Sequence, residues 1–347
     1  MPRLRVSSQG VMMLRYTARR LFFALPTLLA ISLVVFALLE LAPGDPMAQL
    51  PQTISAEVRA QMREALGLGE AAHIRYIRWL TQLAVVEPMV GIDALFGTAL
   101  SEGAPRLLSW QTRAPVMTLL GERLPQTLIV VGLAYVIGVL VAIPLGVWSA
   151  YRRGGAFDRA ATGAAMLGYA VPPFFSGAVL IWLFAITLGW LPSVYDTTLV
   201  VRDWDSLLAQ MRQMALPVLV LSLQTTAQIS RYMRAAMLDA LGQDYITAAR
   251  ARGAPEGRVL RAHGLRNSLI PVISIVAVGA PQIFAGAIVT EQIFGVNGIG
   301  ALLVSSVQAT DIPTIMAITM VLATLIVVFN LLADLAYGWL DPRIRYD

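Results

Sequence analysis

Lysine and cysteine are both missing from the 347 residues, and histidine occurs only at His73 and His263. Without cysteine there is no disulfide and no thiolate metal site, and two histidines alone do not make a zinc site. Without lysine the chain cannot build a Walker A loop, whose lysine reaches the nucleotide phosphates, nor carry Schiff-base chemistry. Charge is scarce as well. Charged residues make up 14% of the chain, against about 25% in an ordinary soluble domain. What takes their place is apolar: 57% of residues are hydrophobic and the mean hydropathy is +0.68. Such a chain belongs in a membrane. Its net charge of +5 and pI of about 9.8 rest on arginine alone, and they fit cytoplasmic arginine beside membrane spans better than contact with nucleic acid, which is not expected as a partner.

A charge at the bilayer centre costs roughly 2.5–3.5 kcal/mol on insertion scales, so long charge-free intervals mark the spans. Six qualify: Leu21 to Leu39, Leu124 to Tyr151, Ala160 to Tyr195, Gln213 to Ser230, Asn267 to Thr290 and Ile312 to Ala333. Each accommodates the roughly 20 residues that cross the hydrocarbon layer, and the third includes some loop. A seventh interval, Gln292 to Thr310, holds Gly295, Gly298 and Gly300 among polar residues, and reads as a re-entrant or surface gate segment. With a cytoplasmic N-terminus and six crossings, the inside receives the arginines before the first span, Arg152, Arg153 and Arg159, the group from Arg231 to Arg266, and Arg343 and Arg345. That is 17 of the 26, the positive-inside pattern. The expected architecture is an all-α polytopic membrane protein with both termini cytoplasmic.

The order along the chain is then a cytoplasmic tail (1–20), a first transmembrane helix (21–40), an external insertion (41–122) and a core of five further helices (123–347). The first span, preceded by an arginine-rich stretch, has an apolar run longer than a signal peptide needs and reads as a retained anchor. The insertion opens with a turn at Pro43-Gly44-Asp45-Pro46. Ile54 to Leu68 reads as an amphipathic helix with Glu57, Arg59, Arg63 and Glu64 on its wet side, so the region is expected to form a small helical cap.

Two features of the spans bear on a substrate path. Val171-Pro172-Pro173-Phe174-Phe175 must break the third helix, because proline removes a donor and clashes with the preceding turn. Such a break is either a structural kink or a hinge lining the path. Gln224, Thr225, Thr226, Gln228 and Ser230 form a polar row in the fourth span, which either joins helices or lines a pathway. Pro172, Pro173, Gln224, Gln228, Gln282 and Glu291 are the candidate pathway residues, although Glu291 and Asp311 also read as ordinary solvated loop acids.

One large basic loop, Asp244 to Pro271, interrupts the apolar chain. Asp244 suits an N-cap, Tyr245 to Arg252 give about two helical turns, and Gly253 ends them, since glycine enters the left-handed conformation cheaply. Pro255 suits the first turn of a second short helix. Ala248, Ala249 and Ala251 leave little bulk, so another protein's surface can approach the backbone. An amphipathic helix resting on anionic lipid would also suit the arginines.

Thr247-Ala248-Ala249 with Gly253 resembles the EAA loop of permease subunits of binding-protein-dependent ABC transporters. DYITAARARG, followed by Arg258-Val259, His263, Arg266-Asn267 and Leu269-Ile270-Pro271, is similar to the dipeptide, oligopeptide and nickel branch. Leu41 to Pro46, Leu124 to Leu128, the segment from Ala285 to Gly300, and Asp334, Tyr337 and Leu340 to Arg345 resemble that branch too. Thr247 replaces the glutamate of the loop's name, and Asn297 stands where the family usually has proline.

The resemblance implies a subunit with no ATPase site of its own. Its partners would be a second homologous permease, two cytoplasmic ATPase subunits holding ATP and magnesium, and an external solute-binding protein, all about a bilayer. It also implies that Asp244, Tyr245, Thr247, Ala248, Ala249, Arg250, Arg252 and Gly253 couple ATP hydrolysis to transport. Peptides are the expected cargo and a nickel chelate the alternative; with two histidines and no cysteine, capture of bare nickel by this chain is a poor fit. A secondary transporter, the rival class, would bury charge in its spans.

Overall fold

Proline and glycine divide this apolar chain into helices, and the positions of those breaks account for most of the architecture. The computed structural model describes residues 3–42 and 55–340. The described residues form α1 (Arg3–Leu41), α2 (Ala56–Ala65), α3 (Ala72–Phe96), α4 (Val116–Tyr151), α5 (Ala156–Ala170) and α6 (Pro173–Thr187). These are followed by α7 (Trp204–Leu241), α8 (Asp244–Ala251), α9 (Glu256–Gly279), α10 (Ile283–Phe294), α11 (Ile299–Gln308) and α12 (Ile312–Leu340). No strand forms among the described residues. The turn at Pro43 to Pro46, Ile54, and the chain from Asp341 onward lie outside them.

Six of these helices, α1, α3, α4, α7, α9 and α12, are long and apolar enough to cross a bilayer. The set differs from the charge-free intervals in three places, one being that the fifth interval, Asn267 to Thr290, is divided between α9, which ends at Gly279, and α10, which begins at Ile283. The interval Ala160 to Tyr195 is a bent pair, α5 and α6, turning by 107° at the expected break. Each proline pushes its predecessor into the extended region: Val171 lies at φ −79°, ψ 122° and Pro172 at φ −62°, ψ 145°, after which Pro173 opens α6. A third is in the insertion, where α3 runs for 25 residues; the expected cap holds a helix as long as a span. The candidate gate segment is also broken, α10 ending just before Gly295, whose φ of +66° suits glycine.

The described chain divides into two compact units. One comprises the described residues within 1–20, 126–297 and 326–347, the other those within 21–125 and 298–325. In the first, α7 is the packing centre. Along α4, Gly138, Ala142, Gly146 and Ala150 recur every fourth residue, the small-residue spacing that lets helix backbones approach closely. A Cβ on Gly138 would lie 2.7 Å from Thr225 Cβ, and one on Gly146 would lie 2.6 Å from Met233 Cβ and 2.7 Å from the Ser230 carbonyl oxygen. Ala142, Ala150, Ile229, Met233, Met237 and Val272 form one buried cluster, joining α4, α7 and α9. Thr226 Oγ1 donates to the Gly138 carbonyl at 3.2 Å. This part of the polar row therefore joins helices.

At the far end of α4 in the same unit, Asp158 is a buried carboxylate receiving Arg234 Nε at 2.6 Å and Nη2 at 2.7 Å. Ser149 Oγ and the Gly154 amide also donate to it, so one side chain ties α4, α5 and the turn between them to α7. Asp203 caps α7 reciprocally with Ser206, and the Ser206 hydrogen bonds hold its carboxyl below the ordinary carboxylate range. Arg20 pairs with Asp334 at 2.7 Å.

The second unit is built around the outer half of α1. Ser32 hydroxyl pairs with Tyr76 hydroxyl at 2.8 Å, Phe36 packs on Tyr76 with ring centroids 5.3 Å apart, and Glu40 accepts from Arg75. Two buried acids hold the loop that follows α3. Glu87 accepts from Arg106 Nη2 at 2.7 Å and the Leu107 amide at 2.9 Å. Asp311 accepts from Ser109 Oγ at 2.5 Å, the Trp110 amide at 3.0 Å and Thr314 Oγ1 at 2.8 Å. Asp311 is 1% exposed, which corrects its reading as a solvated loop acid: its backbone position opens α12, and Ser109 and Trp110 of the insertion donate to it together with Thr314 of α12 itself.

Candidate coupling helix and translocation cavity

The expected short helix is present as α8, with register corrected by one residue. Gln243, at φ −82° and ψ 152°, occupies the N-cap position with no side-chain bond, and Asp244 is the first helical residue. Its charge still lies at the positive end of the helix dipole. Gly253 adopts φ +79° as expected, and its amide donates to the Arg250 carbonyl at 2.9 Å. Arg250 then spans the turn, its Nη2 reaching Glu256 Oε1 at 2.7 Å.

What α8 buries and what it presents are sharply divided. Ile246 and Ala249 are buried against Val259, so Ala249 is part of the anchor, not of an approachable surface. Asp244, Tyr245, Thr247, Ala248, Arg250 and Arg252 are exposed. Residues 246 and 249 stand three apart, one face of a helix, and the remainder of the circumference carries the polar side chains.

The second short helix expected after Pro255 does not end where the sequence suggested. Pro255 is the N-cap, and the chain continues helically from Glu256 to Gly279, through a π-helical segment at Val259–Leu265. The end of the basic loop, His263 to Pro271, lies inside that helix. Pro271 is an interior proline of the regular α-helical part, Arg266–Gly279, where it supplies no backbone N–H to the preceding turn. The anchor of α8 is therefore built on the end of a 24-residue rod. Gly264 sits close on α7, where an added Cβ would meet Met237 Cε at 2.7 Å.

Of the candidate pathway residues, the fold brings two together. Gln224 and Gln228 line a cavity of about 210 Å³ with Thr225, Tyr135 and Tyr169. Leu221, Ile229, Ile275 and Ile283 complete an apolar rim, and Gly279 leaves room for Tyr135, whose hydroxyl donates to the Val276 carbonyl. The cavity lining carries no ionised side chain. Pro172 and Pro173 do not line it; they form the corner that follows Tyr169 by three and four residues. Gln282 lies in a short 3-10 turn, and its side chain is outside the described part of the structure. Glu291 is 2% exposed and accepts from Thr127 Oγ1 at 2.6 Å inside the first unit, so it is a buried acid linking α4 to α10, not a residue of an open mouth. Tyr135 and Tyr169 escaped sequence reasoning because tyrosine in an apolar run carries no periodic signal.

Sequence comparison identifies the family. The family model described as "Binding-protein-dependent transport system inner membrane component" matches residues 142–346, and the model of its N-terminal region matches residues 13–131. The chain belongs to this family. It is a permease subunit of the ABC importer type and a multi-pass protein of the bacterial inner membrane.

Among its relatives, the oligopeptide transport system permease protein AppB of Bacillus subtilis (strain 168) is 37% identical over 335 residues, covering 96% of this chain and 100% of that protein. The dipeptide transport system permease protein DppB of Escherichia coli (strain K12) is 33% identical over 356 residues, covering 96% and 99%. Among solved structures, the inward-facing MetNI methionine ABC transporter matches with a TM-score of 0.52 at 16% identity, covering 65% of this chain and 97% of that chain. That likeness concerns the fold alone.

Proposed function

We propose that this permease carries peptides inward through the cavity beside α7, driven by ATP hydrolysis on partner subunits that engage α8. The observation that carries the reading is the construction of α8. It is a two-turn helix whose inner face is locked to Val259 and whose outer face offers Tyr245, Thr247, Ala248, Arg250 and Arg252. It stands at the foot of a helix that rises to Gly279 at the cavity wall. A push on the exposed face is transmitted along the rod, because the packed interface resists continuous deformation.

The assembly in this reading contains a second, homologous permease subunit, two cytoplasmic ATPase subunits that hold ATP and magnesium, and an external solute-binding protein. This chain contributes no nucleotide site, in keeping with its lack of lysine. The peptide assignment is supported by the naming of AppB and DppB and by a cavity whose amides and hydroxyls suit the amide groups of a peptide main chain.

The decisive experiment is purification of the tagged chain from its native membrane, followed by mass spectrometry and reconstitution. Co-purifying ATPases and peptide uptake dependent on both ATP and the external binding protein are expected. A solitary protein with proton-driven uptake would overturn the reading.

A further inference from the structure

Arg231 stands three residues beyond Gln228 on α7, just past the cavity lining, in a smaller pocket that it shares with Ser230 and Arg234. Its guanidinium carbon lies 4.6 Å from the centroid of the Tyr169 ring, and Tyr169 is itself a cavity wall. A cation–π contact of this kind engages the face of the ring and leaves N–H groups of the guanidinium, which can fork onto a carboxylate, for another group.

The neighbouring cation on the same helix behaves otherwise. Arg234 is committed to Asp158 through two hydrogen bonds, at 2.6 and 2.7 Å. No described carboxylate forms an ion pair with Arg231, which is exposed. The cavity thus has a neutral lining of amides and hydroxyls, and one guanidinium stands just beyond it, over the ring of Tyr169, with no ion-pair partner among the described carboxylates. That arrangement suits a molecule with a hydrogen-bonding body and an anionic end.

We propose that Arg231, held by Tyr169, receives the C-terminal carboxylate of the passing peptide, so the permease itself discriminates between free and blocked C-termini. The inference rests on the peptide reading above and adds a direction to it: the substrate's carboxylate faces the Tyr169 side of the cavity. A lysine would supply the charge but not the planar fork or the stack.

The test uses the complete importer reconstituted in vesicles with its binding protein saturated by trialanine or by trialanine C-terminal amide. The external protein is the same in every sample, so a change in the ratio of the two uptake rates belongs to the permease. Replacement of an exposed side chain does not threaten folding. R231Q is expected to lower the carboxylate-to-amide ratio by roughly tenfold, the scale of a charge-assisted hydrogen bond, with R231K retaining part of the preference. An unchanged ratio in R231Q, or a parallel fall for both peptides, overturns the proposal while leaving peptide transport standing. Failure of the wild-type importer to carry either peptide overturns the peptide reading and this inference with it.

Discussion

A single methyl group placed at Gly146 provides a quantitative test of the α4–α7 contact. In Gly146→Ala the new Cβ falls 2.6 Å from Met233 Cβ and 2.7 Å from the Ser230 carbonyl oxygen. Ordinary carbon contacts lie near 3.5–4.0 Å, so the two helices must part by roughly 1 Å or the α7 backbone must shift. Overpacking of this kind costs about 1–3 kcal/mol. Alanine also returns about 0.5–1 kcal/mol of helix propensity, leaving a net loss near 1–2 kcal/mol. Gly132 lies on the same helix with nothing within 4 Å of an added Cβ, so Gly132→Ala should show only the propensity gain. The two substitutions add the same atom to the same helix and are expected to change stability in opposite directions. Reversible unfolding of the purified chain in mixed micelles measures both. Equal shifts of the same sign would refute the claim that close backbone approach at Gly146 organises this interface.

Gly253→Pro places a ring that requires φ near −65° where the backbone holds +79° and removes the amide that donates to Arg250. ATP hydrolysis by the assembled importer is expected to become uncoupled from uptake, and unchanged uptake together with unchanged ATPase stimulation would count against a lever at α8. For the Asp158–Arg234 pair, side-chain exposures of 6% and 30% place the interaction below a fully buried one. A double-mutant cycle of Asp158→Asn and Arg234→Gln should therefore give a coupling of about 2 kcal/mol; a value near zero would mean that the salt bridge adds nothing between α5 and α7. Asp311→Ala strands the donors of Ser109, Trp110 and Thr314, at about 1–3 kcal/mol for each buried group left unpaired. Hydrogen exchange at the Trp110 amide should rise strongly while exchange within α7 stays unchanged.

Much of the helical framework was legible from local chemistry. Apolar length located α1, α4, α7 and α12, because a backbone in hydrocarbon must satisfy its hydrogen bonds within its own segment. Consecutive prolines at 172 and 173 located the 107° corner, and Gly253 located the end of α8, since both effects act on the residue and its immediate neighbours. Charge scarcity misled in one place. Counting charges across 41–122 obscured α3, whose Arg75 is neutralised by Glu40 and whose Glu87 is neutralised by Arg106.

The amino-acid sequence by itself determined the membrane class, the positions of the helix breaks and the short helix that begins at Asp244. Tertiary structure decided which side of that helix is available: Ala249 looks as approachable as Ala248 in sequence, but Val259 covers only the former. It likewise buried Glu291 against Thr127 and Asp311 against Ser109, pairs separated by 164 and 202 residues. Periodicity and composition report a residue's own segment, whereas burial of a charge depends on donors supplied from elsewhere in the chain. The same limit applies to the cavity, since Tyr135, Tyr169, Gln224 and Gln228 become one surface only when α4, α5 and α7 are packed.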